Sequence, residues 1–259
     1  MENVKIGFFD SGIGGISVLA YARRCLPSAD YIYYADTDHV PYGTKTREEI
    51  IRYSDAAVEF LVGQGVSAVV VACNTATSMA IGYLREKYSI PIVGMEPAVK
   101  PAARTHPGET ILVCATPVTI AGEKLQNLLE HYYPADDYPD LIGLPGLVTF
   151  AESGIFDREI VCRYLETVID CRKDYSAVVL GCTHFGYFRD SFRELLGNVD
   201  LIDGTEGTVK RLMSVLTISE TEYSEKICGK TEFYQTGRPV LDAATLRYYD
   251  DLIRRSEKI

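Results

Sequence analysis

Apolar runs rich in β-branched and aromatic residues alternate with amphipathic stretches along the first part of the chain. VKIGFF (4–9), DYIYYA (30–35), SAVVVA (67–72) and PIVG (91–94) read as strands bounded by polar or glycine-containing turns. Near-continuous apolar strands separated by helical patterns are the mark of parallel β/α units covered on both faces. One helix start is explicit: Thr46-Arg47-Glu48-Glu49 has the form of a capping box ahead of the periodic segment IIRYSDAAVEFLVGQG. After Pro97 the alternation restarts with TILVCA (110–115), SAVVLG (176–181) and VDLI (199–202), with helices expected over 119–131 and 157–173. A polar linker, SETEYSEKICGK (219–230), leads to a strand EFYQTG (232–237) and a last helix over 239–254.

The expected fold is α/β, with two pseudo-symmetric, doubly wound, flavodoxin-like domains whose sheets are mainly parallel and whose active site lies in the cleft between them. Residues 1–96 and 207–259 are expected to form a discontinuous N-terminal domain, because a terminal strand–helix unit commonly packs back onto the first half. Residues 97–206 form the inserted second domain.

An internal repeat sharpens this picture. Ser67-Ala68-Val69-Val70-Val71-Ala72-Cys73-Asn74-Thr75 recurs without a gap as Ser176-Ala177-Val178-Val179-Leu180-Gly181-Cys182-Thr183-His184. Repetition in an α/β chain implies duplicated units, and facing units place equivalent strand ends across a shared crevice. The aliphatic part of the match needs only buried strands. The tails add more, since Cys-Asn-Thr and Cys-Thr-His put a thiol beside an amide, hydroxyls and an imidazole at turns whose backbone N–H groups can hold a carboxylate. Two acid/bases facing one carbon suit inversion of a stereocentre, in which one removes a proton from one face and the other supplies a proton to the opposite face. A thiol can serve either way once its neighbours tune it.

Composition narrows the partners. The 259 residues carry a formal net charge of -10 with Lys and Arg scattered, so nucleic acid is not an expected partner. No apolar stretch approaches the ~18 residues of a membrane span, which points to a soluble, cytoplasmic protein without a membrane partner. Seven cysteines without CxxC pairs or Cys/His ligand spacing signal neither a disulfide framework nor a metal site. Cys25, Cys114, Cys162, Cys171 and Cys228, with His39, His106 and His131, are read as packing or surface residues.

Two further clusters carry polar chemistry. FFDSGIGG sets Asp10, Ser11 and Gly12 at the end of the first strand, where CATPVTI (114–120) stands in the second half. The glycines would bring backbone close to a ligand, while GxGG rather than GxGxxG gives little support to a dinucleotide. Asp10 either caps the next helix or serves as an acid near Cys73. In YYADTDHVPYGTKT (33–46), Pro41-Tyr42-Gly43 is either a solvated turn or a rigid ligand clamp.

FFDSGIGG, YADTDHVPYGTKT, VVACNTAT, GMEPAVKPA and LGCTH, in this order, resemble the glutamate racemases, and FYQTG resembles that family's closing strand. The resemblance covers nearly the whole chain. It implies interconversion of L- and D-glutamate without a cofactor, supplying D-glutamate for peptidoglycan synthesis. Cys73 would act on D-glutamate and Cys182 on L-glutamate, with Asp10 beside the first thiol, His184 beside the second and Glu152 as an auxiliary acid. Ser11, Tyr42, Gly43, Asn74, Thr75 and Thr183 fall on substrate-binding positions, together with Asp10 and His184; a homodimer is compatible with this reading. The chain departs from the family where Phe185-Gly186 replaces the usual Tyr-Pro after Gly-Cys-Thr-His, and where GLPGLVTFAESG lacks a Cys-Pro opening. Competing readings are an aspartate or hydantoin racemase, a one-cysteine decarboxylase, and a nonenzymatic ligand-binding protein whose paired thiols sense redox state.

Overall fold

The computed structural model describes residues 4–134, 137–218 and 229–257. Cys228 and residues 219–228 of the expected linker lie outside the described residues. The strands are β1 (Lys5–Asp10), β2 (Asp30–Ala35), β3 (Ala68–Val71), β4 (Ile92–Gly94), β5 (Ile111–Ala115), β6 (Asp140–Gly143), β7 (Ala177–Gly181), β8 (Asp200–Asp203), β9 (Thr231–Gln235) and β10 (Arg238–Pro239). The helices are α1 (Ile16–Cys25), α2 (Arg47–Gly63), α3 (Asn74–Lys87), α4 (Val99–Thr105), α5 (Pro117–Ala121), α6 (Glu123–Tyr132), α7 (Pro145–Glu152), α8 (Arg158–Val168), α9 (Arg189–Leu196), α10 (Thr205–Val215) and α11 (Ala243–Glu257). No helix among the described residues is long and apolar enough to cross a membrane.

Two sheets result, one ordered β10-β9-β2-β1-β3-β4 and the other β6-β5-β7-β8. All pairs are parallel except the β9–β10 hairpin. The order β2-β1-β3-β4 repeats as β6-β5-β7-β8, so each sheet has a switch point where the chain turns from one side to the other. Ligands of open α/β sheets bind beyond the carboxyl ends of the strands at such points. The central strands are buried throughout, as apolar strands flanked by helices on both faces must be. Near the end of the chain β9 pairs with β2, and α10 and α11 pack on α1.

The capping box is present, with Thr46 Oγ1 accepting from the Glu49 N–H and Glu49 Oε2 from the Thr46 N–H. Elsewhere the helices differ from expectation. The segment expected as one helix over 119–131 is two, because Gly122 takes an extended conformation at φ -76°, ψ 134° between α5 and α6. The helix expected over 157–173 is capped by Asp157 and stops at Val168, with Ile169 extended. Pro239 belongs to a strand, where it needs no ladder N–H on the edge, and α11 begins only at Ala243. Strand β6 and helices α4, α7, α9 and α10 had no range set for them by the sequence.

Candidate active site

The thiols emerge from equivalent strands. Cys73 follows β3 and is the N-cap of α3, so that its Sγ accepts from the Ala76 N–H at 3.4 Å. Its S–H donates to Ser11 Oγ at 3.5 Å. Cys182 follows β7 in extended conformation, opens a 3-10 turn over Thr183–Phe188, and has its Sγ 3.6 Å from His184 Nδ1. Both thiols are buried, and the nearby Cys182 is among the groups that raise the Cys73 pKa.

Between them the Gly-rich turn after β1 meets the Cys-Thr-His turn after β7. Asp10, fully buried, accepts from the Gly12 N–H at 2.9 Å and from Thr183 Oγ1 at 3.2 Å. The N-cap residue of α1 is Gly15, and its N–H also acts on the Asp10 carboxyl. His184 Nε2 lies 2.6 Å from Glu152 Oε1, and that oxygen also accepts from the Ile13 N–H at 2.9 Å. The glycines are required by this approach. A Cβ on Gly12 would stand 1.9 Å from Glu152 Oε1, and one on Gly14 would stand 2.3 Å from Thr183 Oγ1 and 2.6 Å from His184 Nδ1.

Burial sets the electrostatics. It lifts the Asp10 carboxyl above its ordinary value, an effect that His184 and the Gly12 N–H only partly offset. Burial also pushes the Cys73 thiol up to about 12, reinforced by the Asp10 charge and opposed by the Ala76 and Ser11 hydrogen bonds. For His184 burial disfavours the cation, but contacts with Cys182 and Glu152 outweigh it and hold the imidazole well above its usual range. The arrangement provides an imidazole between the Cys182 sulfur and the Glu152 carboxyl on one side, and a high-pKa thiol with a hydroxyl and a buried acid nearby on the other.

The remaining expected residues also gather here. Asn74 donates to the Met95 carbonyl at 3.3 Å, while its buried Oδ1 has no partner among the described residues. Thr75 Oγ1 lies 2.9 Å from Thr116 Oγ1 and 3.3 Å from Thr119 Oγ1, joining α3 to the turn after β5. Gly43 abuts the same turn, where an added Cβ would stand 3.1 Å from Thr116 Cβ. Tyr42 is buried and donates to Asp36 Oδ2 at 2.6 Å, with burial and the Asp36 charge raising its pKa. Asp36 in turn contacts His39 Nδ1 and Thr236 Oγ1. Thr116, Thr119 and Asp36 were not singled out from sequence. The alignment of CATPVTI with FFDSGIGG was the available signal for the two threonines.

A cavity of about 280 Å³ reaches Cys182 and Thr183 from the side of α1 and α10, and Cys73 does not line it. Cys114 is buried in β5, Cys162 sits in α8, Cys171 is exposed and Cys25 ends α1. His106 lies between Glu109 and Asp200, and His131 packs edge-on against Tyr132. Among the described residues no group of three or more His, Cys, Asp or Glu side chains is placed to hold a metal ion.

Residues 17–212 match the family model Asp/Glu/Hydantoin racemase. A glutamate racemase of Halothermothrix orenii is 48% identical over 254 residues, spanning 97% of this chain and 99% of that one. Among solved structures, the glutamate racemase of Campylobacter jejuni superimposes with a TM-score of 0.81 at 28% identity, over 96% of this chain and 98% of that one. The Escherichia coli glutamate racemase, in complex with L-glutamate and the activator UDP-MurNAc-ala, gives 0.80 at 26% identity over 95% of each chain.

Proposed function

The chain belongs to the Asp/Glu/hydantoin racemase family, and we propose that its cleft moves a proton between two thiols on opposite faces of the glutamate α-carbon. The reaction is the interconversion of L- and D-glutamate, and it needs no cofactor. Cys73 abstracts the proton from D-glutamate and Cys182 from L-glutamate, each acting as thiolate in one direction and thiol in the other. The observation that carries this reading is the emergence of the two thiols from equivalent strands β3 and β7, each with its own hydrogen-bond partner, Ser11 or His184.

Asp10 acts beside Cys73, while His184 and Glu152 act beside Cys182. Hydroxyls, amides and backbone N–H groups hold the substrate, with Ser11, Asn74, Thr75 and Thr183 contributing side chains and Tyr42 and Gly43 closing one wall. The unpartnered Asn74 Oδ1 suits the substrate ammonium. Residues 1–96 with 207–259 and residues 97–206 act as two lobes that close on the substrate and exclude water, which strengthens stabilisation of the developing carbanion. The product is D-glutamate for peptidoglycan synthesis in the cytoplasm.

The decisive experiment is purified protein with each enantiomer of glutamate and of aspartate, without pyridoxal phosphate, followed by circular dichroism. The glutamate signal should decay to zero from either side, with solvent deuterium entering Cα in D₂O, and the aspartate signals should persist. Decay of aspartate alone would replace this substrate assignment, and no decay of any of the four would remove the racemase reading.

A further inference from the structure

The turn that follows Cys182 departs from the Tyr-Pro pattern, and its fifth residue, Tyr187, touches neither thiol. Tyr187 is buried, with its ring edge-on to Phe156 at 5.6 Å between centroids. Its hydroxyl donates to the Ile13 carbonyl at 2.9 Å. The Ile13 N–H is also taken, by Glu152 Oε1 at 2.9 Å. Both polar groups of one residue in the Gly-rich turn are thus held by side chains of the region that carries Cys182. The same Glu152 oxygen meets His184 Nε2, whose ring reaches the Cys182 thiol through Nδ1.

Resting on the two-thiol reading above, we propose that Tyr187 is a positioning residue that fixes Ile13, and through Ile13 holds Glu152 and His184 in line with Cys182. A carboxylate oxygen shared between two donors keeps its place only while both stay put. The thiol–imidazole contact of 3.6 Å is near the long limit for sulfur, so a small rotation of the ring breaks it. Misplacement of a reacting group by ~1 Å can cost ~100-fold in rate. Burial keeps the phenol above its usual range and therefore a donor. Ile13 O also accepts from the Ile16 N–H at 3.1 Å, so the first turn of α1 does not depend on the phenol for its integrity.

Tyr187→Phe removes the hydroxyl and keeps the ring against Phe156. Elimination from β-chloroalanine needs abstraction from one face only, and separates the two thiols. The variant should eliminate from the L enantiomer about tenfold more slowly than wild type and from the D enantiomer less than about threefold more slowly, with an unchanged circular dichroism spectrum. In the Glu152→Gln background the same substitution should cost nothing further, since its path runs through Glu152. Equal losses for both enantiomers, additive losses in the double variant, or a lowered melting temperature with unchanged rates would overturn the positioning role. A wild type that fails to racemise glutamate overturns the functional reading itself, whereas a racemising wild type with an unaffected Tyr187→Phe overturns only this inference.

Discussion

Thr183 donates its hydroxyl to Asp10 Oδ2 at 3.2 Å, binding the residue next to one thiol to the acid at the exit of β1. The bond joins turns from two different sheets, and the fully buried Asp10 carboxyl also accepts from the Gly12 N–H and is faced by the Gly15 N–H. A buried acid so placed is costly when charged, and its chemistry and its effect on stability should separate on mutation.

Asp10→Asn is expected to lose activity and gain stability. Burial raises Asp10 above its ordinary 3.8, so between the unfolded and folded pKa values the native chain holds a proton that the unfolded chain has released. Wild-type stability therefore declines as pH rises through that window, and the variant lacks the decline. Its melting temperature relative to wild type should climb from about pH 4 upward, while racemisation falls roughly 100-fold or more. A difference that stays flat or shrinks over that range refutes the assignment.

Cys73, pushed up to about 12, is a thiol at neutral pH in the unliganded chain. Alkylation by iodoacetamide needs the thiolate, so its rate at Cys73, mapped by mass spectrometry, should rise about tenfold per pH unit from roughly pH 7 to 10 without levelling. Asp10→Asn removes a neighbouring negative charge and should displace the curve to lower pH. A plateau near neutrality in wild type would show that burial does not hold the thiol protonated.

Replacing either thiol should stop racemisation in both directions, because each direction uses both. Cys73→Ala and Cys182→Ala are each expected to be inactive, and the corresponding Ser variants severely impaired, since a hydroxyl is a much weaker acid than a thiol. With β-chloroalanine, Cys73→Ser should lose elimination chiefly from the D substrate and Cys182→Ser chiefly from the L substrate. Full activity in either Ala variant would return the thiols to a structural or redox role.

Gly14→Ala and Gly82→Ala should behave oppositely. The first drives a methyl toward Thr183 and His184, spreading the two turns, and is expected to reduce kcat by roughly 100-fold or more. The second adds a methyl in open space on α3 and should stabilise the fold by about 1 kcal/mol in urea denaturation with kcat unchanged. Comparable kcat in both variants would show that the close approach of the turns is not needed.

What the sequence determined by itself follows from local geometry. Apolar runs such as AVVV and AVVLG specify strands buried on both faces, and in a parallel sheet the residue after such a strand must stand at the carboxyl edge, which is where Cys73 and Cys182 are found. The Thr46 box was legible for the same reason, since its bonds span three residues. Strand β6 was not legible because Asp140–Gly143 is only partly buried at a sheet edge and carries no period to read. Gly122 broke a helix whose apolar spacing ran on through it. The partners within the cleft were beyond any local pattern. That Glu152 holds both Ile13 and His184, that Asp10 meets Thr183, and that Thr75 meets Thr116 all depend on how one sheet docks against the other. Side-chain bonds between residues far apart in the chain arise only when tertiary packing brings their donors and acceptors within ~3 Å, and periodicity carries no information about that distance.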